Sequence, residues 1–134
     1  MTDSILPGKN TGPLNLKRSE TGLLGEKLAQ NFLKKKGYRI LENNYRCRYG
    51  EIDIVARQGQ CLVFVEVRTK NNLKFGTPEE SISFTKVQHM EQAAEYYVQE
   101  HRIEGLEWRI DLIAVELDAN LCVQRIEQIE NVLQ

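Results

Sequence analysis

The sequence predicts an α/β domain built as a mixed β-sheet flanked by α-helices. Apolar residues recur at helical spacing over residues 18–36 and again between Ser83 and His101. Shorter apolar runs typical of strands lie between these helices and after the second one. This order of helix, three strands, helix and two strands favours a sheet with helices packed on it. We expect one domain over residues 18–134, preceded by a flexible tail over residues 1–17.

The first predicted helix combines an apolar stripe with an interior glycine. Cations at residues 34–36, followed by Gly37, mark its C-terminal end. Glycine at position 25 lowers the stability of the helix by about 1 kcal/mol relative to alanine. Its presence indicates that another part of the chain approaches the helix backbone closely. By periodicity alone, Glu26 is an exposed helix acid. The apolar stripe consists of Leu23, Leu24, Leu28, Phe32 and Leu33.

A predicted hairpin that turns at Gly59 carries four charged residues inside apolar strands. Glu51 and Asp53 interrupt one arm, and Glu66 and Arg68 interrupt the other. Side chains alternate along a strand, so an even loop puts all four on one face, whereas a three-residue loop separates the acids of the two arms. A two-residue loop beginning at Gly59 pairs Asp53 with Glu66 and Glu51 with Arg68. A loop beginning one residue earlier pairs Glu51 with Glu66. We expect an even loop.

Two opposed carboxylates repel each other, and one takes up a proton unless a positive charge lies nearby. A divalent cation meets this need. Mg²⁺ prefers oxygen ligands, uses one or two carboxylates and keeps waters for a phosphate substrate. Arg68 projects from the same face as Glu66, where it can hold a phosphate or stabilise negative charge. The alternative is a cluster of Asp, Glu and Arg ion pairs on a solvated sheet face, without a metal.

Beyond the hairpin the sequence predicts a second helix, two strands and a short closing helix. Thr-Pro-Glu-Glu at residues 77–80 is typical of a helix start, and Ser83 is expected to cap the second helix. Lys86 lies in the first turn of that helix, where a cation opposes the helix dipole, and this is a mild indication of function. The two strands and the closing helix are predicted over residues 108–116, which include Asp111, over residues 121–126 and over residues 126–133.

Charge is distributed unevenly along the chain. Residues 1–76 hold 14 Lys and Arg against 7 Asp and Glu, a balance of +7. Residues 77–134 hold 4 against 12, a balance of −8. This asymmetry predicts a basic face suited to nucleic acid, which the net charge of −1 conceals. The alternative is that the two halves interleave in space and their fields cancel.

The composition excludes several classes of protein. No apolar run approaches the ~20 residues of a membrane span, and the N-terminus lacks the apolar core of a secretory signal. We therefore expect a cytoplasmic protein without a membrane partner. The three cysteines, Cys47, Cys61 and Cys122, have no CxxC spacing, and only two histidines are present. This pattern argues against a disulfide framework, a cysteine zinc site and a histidine-rich metal site.

Four short motifs follow one another along the chain: Gly25-Glu26, Gly50-Glu51-Ile52-Asp53, Phe64-Val65-Glu66-Val67-Arg68 and Phe75-Gly76-x-Pro78-Glu79-Glu80. Together they resemble the PD-(D/E)XK nuclease superfamily. More closely, their order is similar to that of the YraN-like family of uncharacterised, Holliday-junction-resolvase-like bacterial proteins, over residues 18–115. The resemblance implies a restriction-endonuclease-like fold, Mg²⁺ or Mn²⁺ as cofactor, and DNA, including branched DNA, or another nucleic acid as partner. By analogy it also implies a homodimer.

The superfamily pattern implies a metal site for the residues that match it. Asp53 and Glu66 match the acidic metal ligands, and the pattern implies the Val67 carbonyl as a third ligand. Glu26 matches a helical glutamate that reaches the metal site in many members.

The basic residues depart from the superfamily pattern at one position. Arg68 stands where most members carry a lysine that positions or deprotonates the attacking water, and arginine stays protonated, which makes it a poor general base. Lys86 aligns with a lysine of related sequences and is assigned to the substrate phosphate or to water. The expected nucleic-acid-binding residues are Arg46, Arg48, Arg68, Lys70, Lys74 and Lys86.

These observations favour a Mg²⁺-dependent endonuclease or resolvase-like phosphodiester hydrolase. The first alternative is a nucleic-acid-binding protein of the same fold without turnover, which Arg68 favours. The second is an interaction module in which the acids only form ion pairs. The expected catalytic residues are Glu26, Asp53, Glu66, Arg68 and Lys86.

Overall fold

The computed structural model of the chain describes residues 13–133, which form a five-stranded mixed sheet with one long helix on each face. This confirms the predicted α/β fold and is consistent with a restriction-endonuclease-like domain. No helix in this part of the chain has the length and apolar character needed to span a membrane. The helices are α1 (Pro13–Lys35) and α2 (Phe84–Glu100). The strands are β1 (Arg39–Cys47), β2 (Gly50–Gln58), β3 (Cys61–Lys70), β4 (Glu107–Leu117) and β5 (Val123–Ile129).

The five strands lie side by side in chain order. Neighbouring strands are antiparallel except for β3 and β4, which are parallel and are connected through α2. The basic half of the chain is residues 1–76, and the acidic half is residues 77–134. Because the strand order follows the chain, the basic half forms α1 and the strands β1 to β3 at one edge of the sheet. The acidic half forms β4 and β5 at the opposite edge. The two halves therefore do not interleave within the sheet, although α2 packs over β2.

Two apolar clusters join the helices to the sheet. On one face, Leu33 of α1 packs with Ile54 and Val65. On the other face, Met90 of α2 packs with Phe64. Strand β3 contributes to both clusters, which explains the continuous apolar run in its sequence.

Two helix starts differ from the sequence expectation. Helix α1 begins at Pro13, five residues earlier than the predicted helix start. The rest of the expected tail, residues 1–12, lies outside the described residues. The Thr-Pro-Glu-Glu signature produces only a short 3₁₀ turn at Glu79–Ser81, because Ile82 takes an extended conformation before Ser83 starts α2.

The predicted closing helix over residues 126–133 is wrong. Ile126 and Ile129 belong to β5, where they pair with β4. Beyond β5, Asn131 takes a φ of 59° and donates its backbone N–H to Asp111 at 3.0 Å. The N–H of Val132 then bonds to the β4 backbone at 2.8 Å. These bonds to β4 satisfy the backbone groups that a helix would have paired within itself.

Candidate active site

A two-residue loop, Gly59–Gln60, joins β2 to β3. Gly59 takes a φ of 59°, which glycine adopts without steric cost. The predicted even loop is therefore confirmed. The ladder begins on either side of this loop and extends as far as the pair Ile54–Val65.

Strand β2 loses its regular alternation at Asp53. Ile54 packs in the cluster beneath α1, whereas Ile52 packs in the cluster beneath α2. Residues two apart in a regular strand share a face, so the alternation of side chains is interrupted between Ile52 and Ile54. Strand β1 is also irregular at the position opposite Asp53, since Asn44 takes a φ of 54°. The predicted single face for all four charges is therefore wrong, and Asp53 lies at the point where the two faces exchange.

The Asp53 carboxylate takes the place of the missing ladder bond. Its Oδ2 accepts the backbone N–H of Val67 at 2.8 Å, just beyond the last β2–β3 pair. The N–H and C=O of one strand residue point to the same side, so the Val67 carbonyl also faces the side on which β2 has diverged. Asp53 is thus held between β2 and β3 and can approach acids from either face.

Asp53, Glu66 and Glu26 form an acidic cluster. Glu66 is its buried member, with only 5% of its surface exposed. Burial, and next the charge of Asp53, raise its pKa to about 7, while the nearby cations act in the opposite direction. A hydrogen bond with Asp53 contributes a further, smaller increase to the pKa of Glu66. The predicted direct pair of Asp53 with Glu66 lies beyond the last β2–β3 pair of the ladder, and the two carboxyl groups interact where the ladder is interrupted.

Glu26 approaches the same cluster from α1. Burial, followed by the charges of Asp53 and Glu51, raises its pKa. It is half-buried and lines a cavity with Arg68, so it is not a freely exposed helix acid. Its neighbour Gly25 allows this position, as a Cβ at residue 25 would stand 1.8 Å from Oγ1 of Thr69 on β3.

Two cations contact Glu66 from different elements. Arg68 Nε lies 2.9 Å from Glu66 Oε2. This contact is an ion pair without a well-directed hydrogen bond, and the buried Nε donates to no other group in the described part of the chain. Lys86 reaches across from the first turn of α2, with Nζ 3.8 Å from Glu66 Oε1. Its backbone N–H is capped by Ser83 at 3.0 Å, as predicted.

The charges on β1 and at the start of β2 form a separate group. Glu51 does not face Arg68; it lies opposite Arg46 in the β1–β2 ladder and forms an exposed ion pair with it at 3.6 Å. Arg48 lies over the ring of Tyr49 and donates to its hydroxyl at 2.8 Å. Arg46 and Arg48 therefore have no contact with the acidic cluster among these interactions.

A cavity of about 730 Å³ opens beside the cluster. Glu26, Val67 and Arg68 line one part of it, and Lys70 and Phe75 line another. Lys74 precedes Phe75, with Nζ 5.6 Å from the centre of its ring. The cavity thus connects Glu26, one acid of the cluster, to the basic segment that follows β3.

The donor set of the cluster consists of carboxylates. No group of three or more His, Cys, Asp and Glu side chains in the described part of the chain forms a ready-made metal site. The available oxygen donors are the carboxylates of Asp53 and Glu66, then Glu26, together with the Val67 carbonyl. Such a set suits a hard cation and does not resemble a nitrogen- and sulfur-rich zinc site.

Sequence reasoning missed two residues that shape the site. Thr69 sets how closely α1 packs on β3. Asn44, with its positive φ, lies in β1 beside the point where the alternation of β2 is interrupted at Asp53. The interior glycine at position 25 signalled a close neighbour, but the sequence did not identify it. Asn44 had a weak signal, since asparagine tolerates positive φ better than most residues.

Comparison with known proteins places the chain in a family. The model of the uncharacterised protein family UPF0102 matches residues 25–115, which include the whole acidic cluster. A UPF0102 protein of Dehalococcoides mccartyi is 47% identical over 116 residues, covering 87% of this chain and 94% of the relative. A UPF0102 protein of Caldicellulosiruptor saccharolyticus is 43% identical over 116 residues, covering 87% and 98%. The chain therefore belongs to the uncharacterised protein family UPF0102, the YraN-like group.

Proposed function

We propose that the protein is a Mg²⁺-dependent endonuclease that hydrolyses phosphodiester bonds in DNA, with resolvase-like action on branched substrates. The observation that carries the proposal is the meeting of Asp53 and buried Glu66 at the interrupted β2–β3 ladder. Arg68 and Lys86 bring positive charge to the same carboxylate. Acids and cations fixed together in a partly dry site suit the stabilisation of a charged phosphoryl group.

The donor set fits Mg²⁺ or Mn²⁺. Glu66 keeps a pKa of about 7 because burial and the charge of Asp53 outweigh the two cations beside it. A divalent cation between the carboxylates would supply the missing positive charge, and Mg²⁺ needs only one or two carboxylates when water and phosphate oxygens complete its shell. We assign Asp53 and Glu66 as the ligands, with the Val67 carbonyl as a third and Glu26 as an acid within reach.

Each residue of the cluster has a distinct task in this proposal. When bound, the metal ion supplies a water of lowered pKa and stabilises negative charge on the phosphate. Arg68 binds phosphate oxygens through its permanently charged guanidinium. Lys86 donates to a phosphate oxygen or orients the attacking water. Glu26, with its raised pKa, holds a proton at a carboxyl oxygen more readily than an exposed glutamate and so limits the negative charge of the cluster.

A second candidate function is nucleic-acid binding without turnover. Arg68 favours it, because arginine does not accept the proton of an attacking water. Lys86 favours hydrolysis. Strand β3 carries Arg68 where the superfamily pattern has a lysine, but α2 brings a lysine Nζ to 3.8 Å from Glu66. We therefore place hydrolysis first.

Nucleic acid as the partner is supported by the placement of the basic half on one side of the sheet. Lys70 lines the cavity beside the acids, and Lys74 follows it in the next loop. We assign phosphate contacts to these two lysines together with Arg68 and Lys86. Arg46 and Arg48, on the far side of β2, would contact only a longer substrate.

The test is a cleavage and binding assay on branched, flapped and linear DNA with Mg²⁺ or Mn²⁺. We expect the wild-type protein to cut at least one branched substrate, and Asp53→Asn and Glu66→Gln to abolish cutting. Glu95→Gln is the matched control, since it removes one negative charge from an exposed position on α2. Calorimetry with Mn²⁺ should show binding to the wild-type protein and to Glu95→Gln, but weaker or absent binding to the two site variants.

The other outcomes separate the alternatives. Salt-sensitive binding without cutting would exclude the nuclease and support a nucleic-acid-binding protein without turnover. The absence of both binding and cutting would support the interaction module. A protein that cuts equally well after Asp53→Asn would contradict the site itself.

Two further expectations belong with this proposal. A cytoplasmic location is supported by the three free cysteines in the described chain. The homodimer implied by the resemblance stays a prediction, which sedimentation of the full chain would test.

A further inference from the structure

Phe75 is the most exposed large apolar side chain in the described part of the chain, with 83% of its surface accessible. A phenylalanine exposed to this degree loses the stabilisation that burial of its ring would provide. It lies on the wall of the cavity that also contains Glu26, Val67 and Arg68. The aromatic ring therefore shares one cavity with Glu26, with Arg68, which contacts Glu66, and with Val67, which binds Asp53.

Hydrogen bonds on both sides of Phe75 fix the backbone of its loop. The N–H of Gly76 bonds to the carbonyl of Leu73 at 3.1 Å, so Phe75 is at the third position of a closed turn. On the C-terminal side, Thr77 N–H donates to Glu80 Oε1 at 2.8 Å, and Glu80 N–H donates to Thr77 Oγ1 at 3.3 Å.

A further tie connects this loop to the sheet. Arg125 on β5 bonds to Glu79 at 2.6 Å and to Glu116 of β4 at 2.6 Å, so the turn that follows the loop is fixed to β4 and β5. The aromatic ring is thus presented to solvent from an anchored loop, which reduces the entropy lost when a ligand stacks on it.

The surroundings of the ring match a nucleotide. Lys74 lies beside it, and Lys70 and Arg68 line the same cavity, so cations stand where phosphates on either side of a stacked base would pass. The cavity volume of about 730 Å³ lies within the range of small-molecule sites, about 300–1,000 Å³. Aromatic rings among cations are the usual platform for unpaired bases, because every base has a stacking face.

We propose that Phe75 is a stacking platform for one unpaired base of a nucleic acid whose backbone enters the acidic cluster. The substrate class is accordingly a strand with at least one unstacked nucleotide next to the reacting phosphate, as in a flap, a gap or a branch. This inference rests on the proposed function and adds a subsite to it. A base paired within a blunt duplex cannot reach the ring.

The test uses the full chain and a duplex with a single-stranded overhang whose first unpaired base is 2-aminopurine, in both DNA and RNA forms. Ca²⁺ replaces Mg²⁺ during binding. We expect strong fluorescence quenching with the wild-type protein and with Phe75→Trp. Phe75→Leu keeps an apolar side chain without a stacking face, and should lose the quenching and weaken overhang binding about tenfold. Phe84→Leu is the matched control, since Phe84 is 77% exposed but lines a different cavity.

The outcomes distinguish this proposal from the one it rests on. Quenching that depends on Phe75 with either sugar supports the subsite, and quenching with only one of the two sugars identifies the nucleic acid. Binding with quenching unchanged in Phe75→Leu overturns the subsite alone, as does an equal loss of affinity for a blunt duplex. A dimer that becomes a monomer on Phe75→Leu, with quenching retained, would assign the ring to contact with a second copy and overturn the subsite. Absence of any nucleic-acid binding would overturn both proposals.

Discussion

Gly25 on α1 lies so close to Thr69 on β3 that a Cβ at position 25 would stand 1.8 Å from Thr69 Oγ1 and 2.9 Å from Thr69 Cβ. A Cβ atom does not approach other non-bonded heavy atoms to such distances, so only glycine lets α1 pack this deeply on the end of β3. Glu26 follows directly in the helix and meets the charge of Asp53. The close approach of two backbones therefore sets the position of an acid.

Gly25→Ala should destabilise the protein and reduce cleavage. Alanine gains about 1 kcal/mol of helix propensity, but relief of the overlap with Thr69 requires a shift of α1 or β3, which costs about 1–3 kcal/mol. The shift also moves Glu26. Gly22→Ala in the same helix is the control, because nothing lies within 4 Å of a Cβ there. Urea denaturation should show a lower free energy of unfolding for Gly25→Ala and an equal or higher one for Gly22→Ala. Equal stability of the two variants would contradict the close packing.

Glu66→Gln should stabilise the metal-free protein at high pH. The pKa of Glu66 is raised to about 7 in the folded state, so its contribution to stability is fully present below about pH 4.5 and is lost as the pH rises through about 7. The ionised carboxylate then costs the fold up to about 3 kcal/mol. We expect Glu66→Gln to exceed the wild-type free energy of unfolding by about 1–3 kcal/mol near pH 8, and by much less near pH 5.

Divalent metal should reverse this difference. Mn²⁺ or Mg²⁺ should stabilise the wild-type protein near pH 8 by mass action, and should have less effect on Glu66→Gln, which lacks one ligand. Thermal denaturation with and without metal measures both effects. Equal stabilisation of the two proteins by metal would argue against Glu66 as a ligand.

Lys86 and Arg68 should differ in their effects on cleavage. Lys86→Gln removes the only lysine that contacts Glu66 in the described chain, and should lower the cleavage rate about 10–100-fold. Arg68→Lys introduces the residue of the superfamily pattern, and should retain or raise the rate. The control is Lys34→Gln, at the exposed far end of α1. Single-turnover kinetics separate the rate from binding. A protein that is inactive as wild type but cuts after Arg68→Lys would favour binding without turnover as the native function.

Asp111 should be essential for folding and have no direct part in the acidic cluster. It is fully buried and accepts hydrogen bonds from Arg109, Gln128 and the backbone of Asn131 at 2.8–3.2 Å. Removal of one member of a buried ion pair leaves the other unpaired, at a cost of about 3–5 kcal/mol. We therefore expect Asp111→Ala to lower the free energy of unfolding by about that amount, while exposed Glu104→Ala has little effect. Mn²⁺ calorimetry on the fraction that folds should give wild-type affinity.

The sheet and its two helices could be predicted because local patterns determine them. The apolar run of β3 predicted a strand, and Ser83 predicted the start of α2. The end of the chain was not predictable in the same way. Ile126 and Ile129 have a spacing that suits a short helix, yet they pair with β4 because Asp111 and the β4 backbone bind the residues that follow them. Such partners are distant in sequence and leave no local signal.

The acidic site also combines features that the local sequence determines with features that depend on distant contacts. The sequence by itself determined which residues could form it, since acids inside apolar strands and a glycine inside a helix are visible without a structure. The two-residue loop at Gly59 was likewise readable from a turn preference. Only the tertiary structure decided how the acids meet. Asp53 reaches Glu66 because β2 leaves the ladder and its carboxylate caps the N–H of Val67. Alternation describes a regular strand, and the site lies where two strands cease to be regular.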